Sequence, residues 1–222
     1  MTSSEAIACL VATLAAYVIG ATPFGYFAGR MRGIDIREHG SGNIGATNVF
    51  RVLGRRVGIP VFILDMLKGF LPVIITRSVL AERGIPYDWA EIGAAVGAVL
   101  GHNFTFWLHF RGGKGIATSA GGLLALLPIP LAAALSAWLI LFYSTRYVAV
   151  ASIAASIMVP TATIVMYLLN AGIPKVPQLP LVGFSLLIGL LAVWRHRSNI
   201  RRLMNGTENR FARKQPPAST AS

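Results

Sequence analysis

Of 222 residues, 55% are hydrophobic and only 13% charged, with a mean hydropathy of +0.63; this excludes an ordinary water-soluble domain, in which about a quarter of residues carry charge. The net charge of +12, from 20 Lys and Arg against 8 Asp and Glu, marks cytoplasmic loops and anionic headgroup contacts in so apolar a chain, and no nucleic-acid partner is expected. A single cysteine, Cys9, excludes an internal disulfide and a Cys-based metal centre.

A helix needs about 20 apolar residues to cross ~30 Å of hydrocarbon, so long stretches without Asp, Glu, Lys or Arg mark the candidate spans. Residues 7–29 form the first; no basic residue precedes it and it is too long for a signal-peptide core, so it is expected to be retained. Residues 57–76 form the second, interrupted only by Asp65 and Lys68. In the third, 92–110, Gly93, Gly97 and Gly101 recur at every fourth position, which admits another helix at close range. Residues 115–145 are too many for one ordinary helix, and Pro128 and Pro130 divide them into two short spans. Residues 147–169 give the sixth span, and 180–194 with the apolar residues before them the seventh.

Seven crossings leave three basic residues (Arg77, Arg83, Lys175) on the N-terminal side and sixteen on the other, with Lys68 inside a span. The positive-inside rule then predicts an external N-terminus and a cytoplasmic C-terminus. The expected fold is an all-α integral membrane protein of seven transmembrane helices with Gly-rich cytoplasmic loops. Residues 1–210 make one domain, and 211–222, rich in Pro, Ser and Ala, a disordered tail.

The polar chemistry gathers in three cytoplasmic segments. In the first, residues 37–51, Gly40, Gly42 and Gly45 match G-x-G-x-x-G, a fingerprint with meaning only inside a βαβ unit, which does not fit here. What remains is a loop whose backbone N–H groups, hydroxyls and nearby Arg51 suit an anion, or else a plain glycine turn. The second, Gly112-Gly113-Lys114-Gly115, lacks the glycine of a Walker A loop at Leu108 and its Ser or Thr at Gly115, so ATP hydrolysis is not indicated. Its free backbone donors and ammonium suit a phosphate at a helix start, or a basic anchor. In the third, His196 and Asn199 share a face if the helix runs on, while Arg201 and Arg202 read as headgroup anchors.

Asp65 and Lys68, at i and i+3, can neutralise one another; a structural pair and a site both fit. His102 and Asn103 fit either a packing contact or a site. No G-x-S-x-G is present and Cys9 lies far from the basic loops, which disfavours a covalent nucleophile. The four histidines are scattered, so no metal or other cofactor is expected.

Three segments, Gly40-Ser41-Gly42-Asn43-Ile44-Gly45-Ala46-Thr47-Asn48, Gly101-His102-Asn103 to Gly112-Gly113-Lys114-Gly115, and Arg195-His196 to Gly206-Thr207-Glu208, resemble in order the bacterial acyl-phosphate:glycerol-3-phosphate acyltransferases, the PlsY family. The likeness runs from the first span to about Glu208 and departs at Ser198, where an acidic residue is expected. No His is followed five residues later by Asp, so the pattern of another glycerolipid acyltransferase class is absent. The resemblance implies a multi-pass protein of the bacterial cytoplasmic (inner) membrane, its active site facing the cytoplasm. It implies direct transfer of an acyl group from acyl phosphate to the sn-1 hydroxyl of glycerol 3-phosphate, giving lysophosphatidate without metal or acyl-CoA. This is the first acylation of phospholipid biosynthesis. Glycerol 3-phosphate, acyl phosphate and membrane lipids are the implied partners, with a monomer as the working form.

By the same resemblance Ser41, Arg51, Lys114, His196 and Asn199 are catalytic, and Gly42, Asn43, Gly45, Thr47, Asn48, His102, Asn103, Gly112, Gly113 and Gly115 bind substrate. The general base stays open between His196, with an ordinary pKa near ~6.5, and the glycerol 3-phosphate dianion, with a second pKa of about 6. An organophosphate transporter is the rival class, but the motifs cluster at one interface rather than the midplane and no span repeat is visible. A lipid-binding scaffold leaves the glycine loops unexplained.

Overall fold

The uncharged stretches fold as helices in the computed structural model, which describes residues 2–169 and 178–211; among these residues there is no strand. Lys175 and the expected tail from 212 onward lie outside them.

Helix α1 (Ser3–Gly20) opens on a capping box, the Thr2 hydroxyl accepting from the Glu5 N–H and the Glu5 carboxylate from the Thr2 N–H. The first span does not run to Gly29 as one helix. It breaks over 21–23, where Pro23 has no N–H to continue the ladder, and resumes as α2 (Phe24–Arg30). Such a break strands backbone carbonyls that hydrocarbon cannot satisfy, and distant residues take them up. The Thr105 hydroxyl donates to the Ala21 carbonyl, and Lys68 Nζ to the Thr22 carbonyl at 2.8 Å. Lys68 also stands 2.8 Å from Asp65 Oδ1, so the Asp65–Lys68 pair fastens the broken helix.

After α3 (Ala46–Leu53), α4 (Arg55–Glu82) runs six residues beyond the expected end of the second span. Arg77 is therefore helical rather than part of a loop; it pairs with Glu91 and donates to the Ala125 carbonyl at 3.1 Å. Helix α5 (Asp88–Asn103) ends seven residues before Phe110. There the chain turns back through a 3-10 turn at Phe106–Leu108, with His109 and Phe110 in the left-handed region. The Gly112 and Gly113 N–H groups then donate to the Asn103 and His102 carbonyls at 3.1 and 3.0 Å. The second glycine loop thus supplies donors that the end of α5 lacks.

Pro128 splits the fourth stretch as expected, occupying the first turn of α7, where an absent N–H costs nothing. Helices α6 (Ile116–Leu126) and α7 (Pro128–Thr145) flank the break. Helix α8 (Val148–Leu169) and α9 (Leu179–Arg195) follow the expected spans closely, and α10 (Arg197–Met204) leaves α9 at a 51° bend. Ser3–Arg30, Arg55–Glu82, Pro128–Thr145 and Val148–Leu169 are long and apolar enough to cross a membrane, and the bent α9–α10 pair makes a fifth such segment. Helices α5 and α6, with 16 and 11 residues, reach only ~24 and ~17 Å.

The main core joins Ala16, Val73, Ala98, Leu123, Ala134, Val159 and Phe184, one from each of seven helices. Along the α1–α5 seam the glycine spacing acts as expected: a Cβ at Gly97 or Gly101 would overlap the Thr13 or Tyr17 backbone. Gly97→Ala is therefore expected to lower stability by about 1–3 kcal/mol through overpacking. Gly183→Ala in α9, whose Cβ meets nothing, is expected to leave stability unchanged or raise it by up to ~1 kcal/mol. Thermal unfolding in detergent checks the contrast. A second buried cluster, Ile36, Ile44, Val49, Val61 and Leu108, seats the first glycine loop on α3 and α4.

Candidate active site

The first loop is shaped by Asn48. This buried side chain donates to the Ile36 and His39 carbonyls at 3.2 and 3.0 Å and accepts from the Ser41 N–H at 2.8 Å. Its amide is thus engaged within the protein, and Asn48 braces the loop rather than offering donors to a ligand. Gly40 and Gly42 have φ of 61° and 70°, a region that favours glycine. Asn43 Oδ1 accepts from the Gly45 N–H at 2.8 Å, a local Asx turn leading into α3. Among the described residues the Ser41 and Thr47 hydroxyls have no protein partner, and both residues line the main cavity.

Arg195 sets the second loop. Its guanidinium donates to the Gly112 carbonyl at 2.8 Å and to the Gly113 carbonyl at 2.6 Å, and stacks on Phe104 at 5.4 Å. Gly113 lies directly on the His102 ring, leaving no room for a Cβ. Lys114 then projects inward and donates to Asn199 Oδ1. Burial foremost, with Arg202, Arg195 and Arg51 nearby, lowers the Lys114 pKa to about 8, against the opposing pull of Glu208.

His196 occupies the bend between α9 and α10, so the helix does not run on straight, yet His196 and Asn199 are both buried and line one cavity. His196 Nδ1 lies 2.8 Å from the Ala192 carbonyl. A carbonyl only accepts, so Nδ1 carries the hydrogen and Nε2 the lone pair. Burial first and then Lys114 hold the His196 pKa at about 4, so the ring is neutral at physiological pH.

Asn199 Nδ2 donates to Glu208 Oε1 at 2.7 Å, and Glu208 Oε2 accepts from Arg202 Nε at 2.8 Å. Lys114, Asn199, Glu208 and Arg202 thus form one chain of hydrogen bonds. Sequence reasoning assigned no role to Glu208, which the turn at Gly206 returns to the cavity, and took Arg202 for a headgroup anchor. Its pairing with Glu208 corrects that reading. Arg51 is half-buried, and burial lowers its pKa.

These groups border a cavity of about 640 Å³. One end carries Ser41, Asn43, Gly45, Thr47, Asn48, Arg51, His102, Lys114, Gly115, His196, Asn199 and Glu208. The remainder is mainly apolar, between Phe62 of α4, Leu123 of α6, Leu131, Leu135, Trp138 and Phe142 of α7, Val148 and Val159 of α8, and Ile188 of α9, with Arg146 and the hydroxyls of Ser119, Ser152 and Ser156 also on its wall. Along α8 the lining covers ~16 Å of helix. Asp65 also borders the cavity, its Oδ1 3.6 Å from His102 Nδ1.

Four expected binding residues lie elsewhere. Asn103 is fully buried against Gly115, and Gly113 packs on His102. Gly42 and Gly112 line another cleft, of about 410 Å³, with Asp35, Arg37, Glu38, Ile44 and Arg111. They face away because the loops present Ser41 and Lys114, not these glycines, to the cavity. Among the described residues no group of three or more His, Cys, Asp or Glu gathers to hold a metal ion.

The family model for glycerol-3-phosphate acyltransferase matches residues 10–206. Relatives with that name include one from Geobacter sulfurreducens, 43% identical over 91% of this chain and 97% of its own. Another, from Acholeplasma laidlawii, is 40% identical over 93% of this chain and 94% of its own. Two crystal structures of PlsY, an integral membrane glycerol 3-phosphate acyltransferase, share the fold. The glycerol 3-phosphate form has a TM-score of 0.79 at 38% identity, covering 92% of this chain and 96% of that one. The lysophosphatidic acid form has a TM-score of 0.77 at 37% identity, covering 92% and 95%. With its apolar helices matched over nearly their whole length, this chain is an integral membrane protein and belongs to the glycerol-3-phosphate acyltransferase (PlsY) family.

Proposed function

We propose that this chain transfers an acyl group from acyl phosphate to the sn-1 hydroxyl of glycerol 3-phosphate, yielding lysophosphatidate and inorganic phosphate directly, without an acyl-enzyme or metal. The observation that carries this reading is the single cavity whose cationic end opens into an apolar groove. An acyl phosphate has that same division, a dianionic head on a hydrocarbon chain.

In this reading Arg51 and Lys114 offset the repulsion between two phosphate-bearing substrates and stabilise the charge on the departing phosphate. Ser41 and Asn43 donate to the carbonyl oxygen as it becomes an oxyanion, and the rest of the first loop orients the acceptor. Asn199, held by Glu208, fixes the Lys114 ammonium. The sn-1 oxygen attacks the carbonyl carbon, the carbon–oxygen bond to phosphate breaks, and the hydroxyl proton ends on the released phosphate, so protons balance without an enzyme base. A His196 pKa of about 4 makes the imidazole a weaker base than a phosphate monoester, with its second pKa of about 6. That supports proton transfer through substrate phosphate, with His196 Nε2 orienting the hydroxyl. Positioning of an already activated anhydride supplies much of the acceleration.

We place the site on the cytoplasmic face of the bacterial inner membrane, with seven crossings, an external N-terminus and a monomer as the working unit. The catalytic domain runs to Phe211, one residue past the expected boundary at 210, because Phe211 lines the cavity. The sixteen-to-three distribution of basic residues supports this orientation.

The test is a direct assay of the purified full chain in lipid with palmitoyl phosphate, labelled glycerol 3-phosphate and a chelator. Labelled lysophosphatidate is the expected product; binding of glycerol 3-phosphate with no product would instead favour a transporter. The pH profile carries a further prediction. Lys114 is charged below its pKa of about 8 and the substrate phosphate is a dianion above about 6, so kcat/KM is expected to be flat between these values, to fall below about 6 and to fall about tenfold per unit above about 8. Lys114→Arg, charged throughout, is expected to remove this alkaline limb while lowering the plateau.

A further inference from the structure

Phe211, the first residue of the expected tail, is packed into the site. The segment before it turns at Gly206 (φ 68°) and is fastened at three places. Glu208 is held by Asn199 and Arg202, Arg210 Nε donates to the Thr145 carbonyl at 3.1 Å, and the Phe211 N–H donates to the Arg146 carbonyl at 3.1 Å. The last two carbonyls lie at the C-terminal end of α7, where a helix has acceptors without donors. This docking holds the Phe211 ring in place.

The ring meets Phe142 of α7 edge-on, centroids 5.8 Å apart at 78°, and Phe50 of α3 at 6.1 Å and 61°. It therefore joins two helices that line the cavity, one from each half of the chain, where the cationic end meets the apolar groove. The Arg51 guanidinium lies over the same ring, its Cζ 5.1 Å from the centroid. Among the described residues Arg51 makes no hydrogen bond or ion pair. A ring face restrains a guanidinium without occupying its five N–H donors, which remain available to a ligand.

We propose that Phe211 is a positioning residue for acyl transfer: its ring holds Arg51 toward substrate phosphate at the junction of the polar site and the acyl groove. This rests on the function proposed above. It differs from a packing role, because bulk alone at this position would not orient the cation.

The experiment compares Phe211→Leu, which keeps an apolar side chain and the backbone dock but loses the ring face, with Phe211→Tyr, which keeps both. Lysophosphatidate formation by the parent chain is measured first, and its absence would count against the function, not against Phe211. With an active parent, Phe211→Leu is expected to lower kcat/KM by about threefold to tenfold, the effect of losing a partly desolvated cation–π contact. Phe211→Tyr is expected to stay within about twofold of the parent, and both variants to unfold at the parent's thermal midpoint. Full activity in Phe211→Leu overturns the proposal. So does an equal loss in Phe211→Tyr, or a loss in Phe211→Leu accompanied by a lowered midpoint, which assigns the ring to the fold alone.

Discussion

Lys114→Met is expected to lower kcat/KM for acyl transfer by about 10²–10³, the loss that follows removal of one preorganised donor from a developing oxyanion. Methionine preserves the unbranched apolar stem of the side chain, one atom shorter, but removes the charge facing the phosphates. It also leaves Asn199 Oδ1 without its donor and Glu208 with one cation fewer nearby. The folded protein is expected to survive, because Arg51, Arg195 and Arg202 all disfavour a charged Lys114 and its removal relieves that repulsion. Initial rates with palmitoyl phosphate, beside thermal unfolding of the same preparation, separate the two effects. A Lys114→Met enzyme with the parent rate would remove Lys114 from the mechanism.

Asp65→Ala is expected to show the largest loss of stability, about 3–5 kcal/mol, the cost of leaving a buried charge without its partner. The Lys68 side chain is 3% exposed and stands 2.8 Å from Asp65 Oδ1. Lys68 cannot swing to water without releasing the Thr22 carbonyl. The double change Asp65→Ala with Lys68→Met removes the stranded charge and is expected to recover part of the loss, not all, since the Thr22 carbonyl loses the Lys68 ammonium and keeps only the Phe24 N–H at 3.2 Å. Unfolding midpoints in detergent for the single and double variants test this; equal midpoints for Asp65→Ala and the parent would show that the pair contributes nothing.

The helices most legible in the sequence are those whose boundaries are set locally. Pro128 divides α6 from α7 where proline chemistry says it should, and α8 and α9 begin and end within two residues of the uncharged stretches. The first and third spans misled because their boundaries are tertiary. Hydropathy runs unbroken through 21–23, and the interruption is held open by Lys68 and Thr105 from far along the chain. The early end of α5 at Asn103 depends on donors returned by Gly112 and Gly113, which no local stop signal announces.

At the site, the glycines, hydroxyls and cations concentrated in short loops drew attention to three segments, and most of the residues named in them meet on one cavity. What the sequence does not carry is direction. Asn48 is a polar residue in a polar motif, yet its amide points into the loop. Glu208 and Arg202 find each other across a turn, with no periodicity to reveal it. The ordinary imidazole pKa suggested a base in His196, whereas burial beside Lys114 brings it to about 4.

The break between α1 and α2 bears on how the chain is built. Its exposed carbonyls are satisfied by a lysine 46 residues and a threonine 84 residues further along. As the chain emerges from the ribosome, the first hydrophobic segment leaves it before α4 and the end of α5 can pack beside the break and deliver either donor. Its backbone is completed only when α4 and then the end of α5 arrive beside it. Until then the segment must keep that stretch near water or in the insertion machinery, so the N-terminal third of the protein matures together with α5 and not in order of translation.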